Sequence, residues 1–270
     1  MTTQGLEAAT EKMRSAGVPG VAIDVFSRFH ELLRSQVTGL IPEDTISPLE
    51  QVTRLDDVVA GSAGAIREGL ARTVIIKLNG GLGTGMGIRG PKSALPVRDG
   101  LTFLDIIARQ VLALRRRHGV DTPLLLMNSF RTREQSLEIL ERYDDLPVDE
   151  LPLDFLQSME PKLRADDLSP VEWPDDPELE WCPPGHGDLY VALYTSGLLD
   201  SLRQRGYRYA FLSNADNLGA TCEGAVPAWM AANGIPYVTE VCPRTHNDRK
   251  GGHLAVRRSD GRLVLRDSAA

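Results

Sequence analysis

The segment that most constrains how this chain can fold lies between residues 77 and 93. A β-branched run, Thr73-Val-Ile-Ile76, leads directly into Lys77-Leu-Asn-Gly-Gly-Leu-Gly-Thr-Gly-Met-Gly-Ile-Arg-Gly-Pro-Lys-Ser93. β-Branched residues favour strands, and glycines allow the backbone to approach a ligand closely. Backbone N–H groups in such a loop can converge on phosphate oxygens, and a lysine adds a mobile positive charge. The segment therefore predicts a strand followed by a phosphate-binding loop.

The loop does not fit the two commonest glycine motifs. A Walker loop needs Gly and Lys adjacent, whereas Pro91 separates Gly90 from Lys92. Residues 85–90 match the letters of the dinucleotide fingerprint, but that fingerprint begins where the strand ends, and residues 78–84 intervene here. A glycine turn without a ligand would explain the glycines but not the charged residues and proline among them. We favour a phosphate site of another type.

Composition limits the size of the protein and the class of partner. The 270 residues, of which 42% are hydrophobic and 25% charged, suffice for one large domain or one and a half. The formal net charge of -7 argues against a general nucleic-acid binder, because such proteins neutralise phosphates with a basic surface. A phosphate site must therefore be local, and we expect no nucleic-acid partner.

Neither a membrane segment nor a disulfide framework is predicted. No apolar run approaches the roughly 20 residues of a membrane helix, and the N-terminus lacks the regions of a signal peptide. Cys182, Cys222 and Cys242 are odd in number and widely spaced, which suits reduced thiols better than disulfides or a zinc site. We expect a cytoplasmic protein.

The N-terminal part of the chain has a helical pattern. Apolar residues recur at helical spacing at Val21, Val25, Phe29 and Leu32. Gly39 and Pro42 end that segment, and a further helix is expected between Asp57 and Leu70. We predict an N-terminal helical segment over residues 1–70, followed by a catalytic domain over residues 71–270.

Helix signals follow the glycine loop. Thr102 and Asp105 have the spacing of a capping box, and the helix they begin should end at the basic residues 115–117 and Gly119. Cations at the negative end of a helix explain the arginine run better than a nucleic-acid patch does. Residues 132–135 resemble a second capping box.

Strands alternate with these helices. Residues 124–127 are typical of a buried strand, and residues 209–212 are typical of a further strand. The alternation predicts an α/β fold, with a mixed, mostly parallel sheet flanked by helices in a Rossmann-like arrangement. Ligands of such sheets bind at the carboxyl ends of the strands. The glycine loop after Leu78 and residues 213–216 both follow strand ends, so we expect one site to contain both.

The glycine loop, together with Gly90-Pro-Lys-Ser93, resembles the signature loop of UTP–glucose-1-phosphate uridylyltransferases, also called UDP-glucose pyrophosphorylases. Further segments resemble successive blocks of that family in the same order. They are Pro123-Leu-Leu-Leu-Met-Asn-Ser-Phe130, Phe155-Leu-Gln-Ser158, Trp181-Cys-Pro-Pro-Gly-His-Gly-Asp-Leu-Tyr190, Ser213-Asn-Ala-Asp-Asn-Leu-Gly219 and Lys250-Gly-Gly-His-Leu254. The resemblance implies the nucleotide-diphospho-sugar transferase fold.

The resemblance also implies a reaction. A phosphate oxygen of glucose 1-phosphate attacks the α-phosphorus of UTP, giving UDP-glucose and pyrophosphate with the help of Mg²⁺. A sugar phosphate has a second pKa of about 6 and is mostly a dianion at neutral pH, so it needs no strong protein base. The site must instead align the two substrates and place positive charge over the α-phosphate and the leaving pyrophosphate.

Two residues are the candidates for the chemistry. Lys92 follows the glycine loop, and Pro91 limits the backbone that carries it, so we expect Lys92 to contact the UTP phosphates; the alternative is an exposed surface lysine. Asp216 is the expected Mg²⁺ ligand, because it is a hard oxygen donor at a strand end. Asp216 could instead cap a helix, although Asn217 or Thr221 could do so too.

The family blocks imply the remaining contacts. An amide both donates and accepts, so Gln157 can match the O4 and N3–H groups of uracil. The residues expected at UTP are Leu78, Asn79, Gly80, Gly81, Lys92, Gln157, Gly185 and Asp216. Those expected at the sugar phosphate are His186, Asn214, Gly251 and Gly252.

Family members continue past the point that corresponds to residue 270, so we expect the catalytic domain here to be incomplete. One alternative to the full reaction is therefore a truncated chain that binds uridine nucleotide with weak or no turnover. Another is a related pyrophosphorylase that uses a different sugar 1-phosphate.

Overall fold

The computed structural model describes residues 4–58, 61–83, 90–246 and 251–267. The helices are α1 (Gln4–Ser15), α2 (Gly20–Arg34), α3 (Ala63–Ala71), α4 (Phe103–His118), α5 (Arg133–Leu140), α6 (Leu189–Thr195), α7 (Leu198–Gln204) and α8 (Ala225–Asn233). The strands are β1 (Ile46–Pro48), β2 (Thr73–Asn79), β3 (Pro96–Arg98), β4 (Leu101–Thr102), β5 (Leu124–Asn128), β6 (Asp154–Leu156), β7 (Glu160–Pro161), β8 (Trp181–Cys182), β9 (Tyr209–Asn214), β10 (His253–Arg257) and β11 (Leu263–Arg266).

A four-stranded sheet in the order β6-β5-β2-β9 carries the candidate site. Every neighbouring pair in this sheet is parallel. The β-branched run that precedes the glycines forms the central strand β2, as predicted. The prediction of an α/β fold with a parallel sheet flanked by helices is confirmed.

Side chains of the two central strands alternate between two hydrophobic cores. Ile75, Leu124 and Leu126 pack on one face with residues of α3, α4 and α5. Ile76 and Leu125 pack on the other face with residues of α6 and α7. Because helices cover both faces, β2 and β5 are apolar along most of their lengths instead of alternating with polar residues.

The boundaries of α4 match their sequence signals. The Thr102 hydroxyl accepts a hydrogen bond from the Asp105 N–H (3.1 Å), and the Asp105 carboxylate accepts one from the Thr102 N–H (2.8 Å). These two bonds form the predicted capping box. The helix ends at Gly119, which adopts the left-handed conformation that glycine favours.

Arg115 has a different role from the one predicted for the arginine run. Its side chain is buried, and its three nitrogens donate to the carbonyl oxygens of Thr122 (2.9 Å), Asp145 (2.7 Å) and Leu146 (2.8 Å). The guanidinium thus joins the end of α4 to the segments that precede β5 and follow α5. Attraction to the negative end of the helix therefore explains only the exposed Arg116 and Arg117.

The second predicted capping box is wrong. Thr132 precedes α5 but makes no side-chain capping bond, because its own backbone is already helical, with φ of -105° and ψ of -15°. Its hydroxyl turns back and accepts a hydrogen bond from the Ser129 N–H (2.9 Å). The threonine therefore stabilises the turn after β5.

The N-terminal helices form, but α2 faces the other way from its predicted apolar stripe. Val21, Val25 and Phe29 are exposed, and Phe29 is 62% accessible to solvent. The buried side carries Ala22 and Phe26, which pack in a cluster with residues of α1 and α6. Apolar residues on both sides of the helix made the orientation ambiguous in the sequence.

Residues 1–70 also contain a strand. β1 pairs antiparallel with β10, which pairs antiparallel with β11, so a segment predicted to be helical joins a small sheet made with the last described residues. The division into a helical segment and a catalytic domain at residue 70 stays a prediction.

Two expectations from composition concern membranes and cysteines. Within the described ranges, no helix has the length and apolar character needed to cross a membrane. Cys182, Cys222 and Cys242 are free thiols, as predicted.

We predict that Arg115→Met lowers the free energy of unfolding by about 3 kcal/mol, because two buried carbonyls and one partly buried carbonyl lose a charged donor. The matched control is Arg116→Met, which changes the exposed neighbour and should cost less than about 0.5 kcal/mol. Urea unfolding of both variants measures the difference. Equal stabilities would contradict the structural role given to Arg115.

Candidate functional site

The carboxyl ends of four parallel strands meet at one edge of the sheet. The last residues of these strands are Asn79, Asn128, Leu156 and Asn214. Backbone hydrogen bonds extend the pairing by one residue, from Gln157 N–H to Asn128 O (2.9 Å) and from Ala215 N–H to Leu78 O (3.0 Å). The segment that carries Gln157 therefore starts beside the end of β5, and the segment that carries Asp216 starts beside the end of β2, as the parallel fold predicts.

The glycine loop leaves β2 and returns to it. Its two sides pair through the hydrogen bonds Gly83 N–H to Gly90 O (2.9 Å) and Lys92 N–H to Gly81 O (3.1 Å). Residues 84–89 of the loop lie outside the described residues. The pairing places Lys92, at the start of a short 3₁₀ turn (Lys92–Ala94), beside the first glycines of the loop.

A small cavity of about 130 Å³ lies at this edge of the sheet. It is lined by Leu78, Asn79, Gly81, Lys92, Ser93, His186, Asn214, Ala215 and Asp216. Most of the residues predicted from the sequence to form the site thus surround one space.

Lys92 and Asp216 both reach the cavity with their charged groups uncommitted. Within the described part of the chain, no hydrogen bond or ion pair engages the Lys92 ammonium or the Asp216 carboxylate. Asp216 does not cap any of the described helices: α8 begins at Ala225 with Gly224 as its N-cap. In the turn after β9, the Asn217 side-chain oxygen accepts from the N–H groups of Gly219 (3.2 Å) and Ala220 (3.3 Å). Both charges are therefore available to a ligand.

The side chain of Asn79 is fully occupied by the protein. Its amide nitrogen donates to Asn128 Oδ1 (2.7 Å) and to Ser136 Oγ (2.8 Å). Its amide oxygen accepts from the Ser93 hydroxyl. A ligand beside Asn79 would consequently meet backbone and not the amide, which the sequence did not indicate.

Gln157 is buried and lies directly over Gly80. A Cβ atom at position 80 would collide with the Gln157 amide, so this contact requires glycine. Gln157 and Gly80 do not line the small cavity, but they adjoin Asn79 and Gly81, which do.

The histidine turn contributes to the wall of the cavity. His186 is exposed and lines the cavity, and Gly185 before it has a φ of +103°, in the region that favours glycine. The Asp188 carboxylate, which is buried, accepts a hydrogen bond from the Ser158 N–H and so joins this turn to the residue after Gln157. Burial raises the pKa of the Asp188 carboxyl. No sequence pattern indicated this link.

Gly251 and Gly252 lie apart from the cavity lining. Both are exposed residues immediately before β10, in the small antiparallel sheet. The structure brings together the predicted residues at the ends of β2 and β9, but not these two glycines.

Lys77 is a charged residue that sequence reasoning missed, because it lies inside an apolar strand. Its buried ammonium donates to Ser213 Oγ (2.6 Å) and to Ala220 O (2.9 Å), and lies 5.6 Å from the centre of the Phe211 ring. Burial lowers the pKa of Lys77 to about 8. Lys77 thus bonds the residues on both sides of the turn that contains Asp216, Ser213 before it and Ala220 after it.

Acidic side chains are sparse at the site. Among the residues that the structure describes, no group of three or more His, Cys, Asp or Glu side chains is arranged to hold a metal ion. Asp216 is the only carboxylate among the described residues that line the cavity.

The family model for UTP–glucose-1-phosphate uridylyltransferase matches residues 23–270. The chain belongs to the UTP–glucose-1-phosphate uridylyltransferase family. The match covers the glycine loop, the strand ends and the histidine turn, so the family resemblance inferred from separate motifs is confirmed.

Relatives in the uridylyltransferase family are similar over most of this chain. The UTP–glucose-1-phosphate uridylyltransferase of Solanum tuberosum is 40% identical over 216 residues, which is 80% of this chain and 43% of the relative. That of Encephalitozoon cuniculi is 36% identical over 243 residues, 90% of this chain and 48% of the relative. The chain thus spans about half the length of the curated relatives it matches.

Solved structures of family members have the same fold. A UDP-glucose phosphorylase from Trypanosoma brucei matches with a TM-score of 0.90 and 43% identity, over 98% of this chain and 56% of that one. A variant UDP-glucose pyrophosphorylase from Leishmania major, in complex with UDP-glucose, matches with a TM-score of 0.89 and 41% identity, over 99% and 58%.

We predict that Lys77 makes stability depend on pH. The unfolded chain keeps this proton up to about pH 10.5, whereas the folded chain releases it near pH 8. Between these values the unfolded state holds more protons, so the cost of burying the ammonium falls as pH rises, by up to roughly 3 kcal/mol. Wild type should therefore gain stability relative to Lys77→Met between pH 7.5 and pH 10.5 in chemical unfolding.

The control for this pH series is Lys162→Met, which removes an exposed lysine. Wild type should keep a constant difference from this variant across the series. A constant difference from Lys77→Met as well would show that the Lys77 proton is held equally in both states.

Proposed function

We propose that this chain binds UTP at the strand-end cavity and transfers its uridylyl group to glucose 1-phosphate, releasing pyrophosphate and forming UDP-glucose. The observation that carries the proposal is the convergence of an uncommitted lysine, Lys92, and an uncommitted carboxylate, Asp216, on one cavity next to the buried Gln157. Membership of the uridylyltransferase family and similarity to a protein that binds UDP-glucose support the choice of nucleotide and sugar.

Uridine recognition falls to the ends of β2 and β6. The Gln157 amide donates to O4 of uracil and accepts from N3–H. Leu78, Gly80 and Gly81 offer backbone close to the nucleotide, because the glycines have no Cβ atom of their own. Asn79 contributes through its backbone, since its amide is occupied within the protein.

Phosphate transfer needs alignment and charge more than proton transfer. The sugar phosphate is mostly a dianion at neutral pH, so its oxygen attacks the α-phosphorus without a protein base. Lys92 stabilises the charge on the α-phosphate and on the leaving pyrophosphate, and its backbone is fixed by the hydrogen bond to Gly81. Gly185 and His186 border the phosphates, with the His186 imidazole as a hydrogen-bond donor.

Mg²⁺ fits the donors that the cavity provides. This ion is usually held by one or two carboxylates together with waters and substrate phosphates, so the single free carboxylate of Asp216 suffices when UTP is bound. Mg²⁺ there would neutralise phosphate charge.

For contact with the sugar phosphate we propose His186, Asn214, Gly251 and Gly252. The assignment of the two glycines is supported by the family motif alone. Residues 71–270 would carry the catalytic domain, in a cytoplasmic protein.

We predict that Lys92→Ala lowers the rate of pyrophosphate release from UTP and glucose 1-phosphate by about 100-fold or more, with a smaller effect on uridine binding. Asp216→Ala should remove activity together with the response to Mg²⁺. Lys162→Ala and Asp200→Ala, which change exposed residues of the same types, are the controls and should keep wild-type rates. A coupled pyrophosphate assay measures all five proteins.

Two outcomes redirect the proposal. Calorimetric binding of UTP without pyrophosphate release would favour a chain that binds uridine nucleotide without turnover. Faster release with another sugar 1-phosphate in the same assay would favour a related pyrophosphorylase. Absence of UTP binding would contradict the proposed function itself.

A further inference from the structure

A series of hydrogen-bonded polar side chains, all buried except Arg133 at its outer end, crosses the sheet from α5 to the glycine loop. At one end, the Arg133 guanidinium pairs with the Asp154 carboxylate (Nε to Oδ2, 2.9 Å). Asp154 in turn accepts from Asn128 Nδ2 (3.1 Å), and Asn128 Oδ1 accepts from Asn79 Nδ2 (2.7 Å). At the other end, Asn79 Oδ1 accepts from the hydroxyl of Ser93.

The Asp154 carboxylate determines the direction of every hydrogen bond in this series. An ionised carboxylate only accepts, so Asn128 must point its nitrogen at Asp154 and its oxygen at Asn79. Asn79 must then point its nitrogen at Asn128 and its oxygen at Ser93. Ser93 is consequently a donor, and an alanine there would leave a buried amide oxygen without a partner.

Ser93 directly follows Lys92 in the short 3₁₀ turn, and only 1% of its surface is exposed. The backbone hydrogen bonds of the turn are to nearby backbone: Lys92 N–H donates to Gly81 O, Ala94 N–H to Pro91 O and Leu95 N–H to Lys92 O. Among the described residues, the Ser93 hydroxyl makes the side-chain hydrogen bond that joins the turn to the interior of the sheet. The same series of residues also reaches Gln157, the residue proposed to bind uracil. The backbone carbonyl of Asn128 accepts a hydrogen bond from the Gln157 N–H (2.9 Å).

We propose that Ser93 is a positioning residue for nucleotide binding, which acts through Lys92. Its bond to Asn79 holds the lysine at the phosphate end of the site, at a fixed distance from the segment that carries Gln157. The inference rests on the proposed function, because it assumes that Lys92 contacts the UTP phosphates. It predicts that loss of the Ser93 hydroxyl weakens recognition of the phosphates while recognition of uridine is retained.

The test compares the affinities for UTP and for uridine, which lacks the phosphates that Lys92 contacts, measured by calorimetry on the full chain. Ser93→Ala should weaken UTP binding about tenfold and uridine binding less than twofold. Lys92→Met should lower the ratio of UTP to uridine affinity at least as far. The double variant should match Lys92→Met alone, since a residue that acts only through Lys92 has no effect once the ammonium is gone.

Ser136→Ala is the matched control. Ser136 is also fully buried and bonds the nitrogen of the Asn79 amide, whereas Ser93 bonds its oxygen. This variant should lose thermal stability to a similar extent as Ser93→Ala but keep the wild-type ratio of affinities. If Ser93→Ala does not fold, Ser93→Cys, which retains a weak donor of similar size, is judged by the same ratio.

The outcomes separate the inference from the proposed function. An unchanged ratio in Lys92→Met would overturn the role of Lys92 and with it the proposed phosphate site. A lowered ratio in Lys92→Met with a wild-type ratio in Ser93→Ala would overturn only the role of Ser93. Additive losses in the double variant, or an equal loss of ratio in Ser136→Ala, would also overturn it, because the effect would then be a general loosening.

Discussion

The hydrogen bonds of one buried amide hold the candidate site together. Asn79 ends the central strand, and its side chain joins β5, α5 and the turn that carries Lys92. The parallel pairing of β2 with β5 places Asn79 opposite Asn128, so the register of the sheet determines whether these bonds can form. A polar network in an apolar interior stabilises one arrangement only when every member has a partner, as is the case for Asn79.

The fold was largely predictable where local patterns determine it. A β-branched run followed by glycines predicted β2 and its loop, and the Thr102 capping box marked the start of α4. The orientation of α2 was not predictable, because apolar residues such as Phe26 and Phe29 lie on both sides of that helix and only tertiary packing decides which side is buried. The strand β1 was missed since its partner, β10, lies at the other end of the chain.

The candidate site was also predictable only in part. The rule that ligands bind at the carboxyl ends of parallel strands predicted that Lys92 and Asp216 would share a cavity, and they do. Lys77 and Ser93 could not be recognised, because their partners are not sequence neighbours: Lys77 bonds a carbonyl 143 residues away, and Ser93 bonds an amide 14 residues away. Buried polar residues of this kind carry no periodic signal, and their function depends on contacts that only the folded chain creates.

A crystal structure of this chain with UTP would test the central claim most directly. The account predicts uracil hydrogen-bonded to the Gln157 amide and phosphate oxygens within hydrogen-bonding distance of the Lys92 ammonium, with the phosphates directed toward Asp216. UTP bound elsewhere on the chain, or bound in this cavity with its phosphates directed away from Lys92, would contradict it.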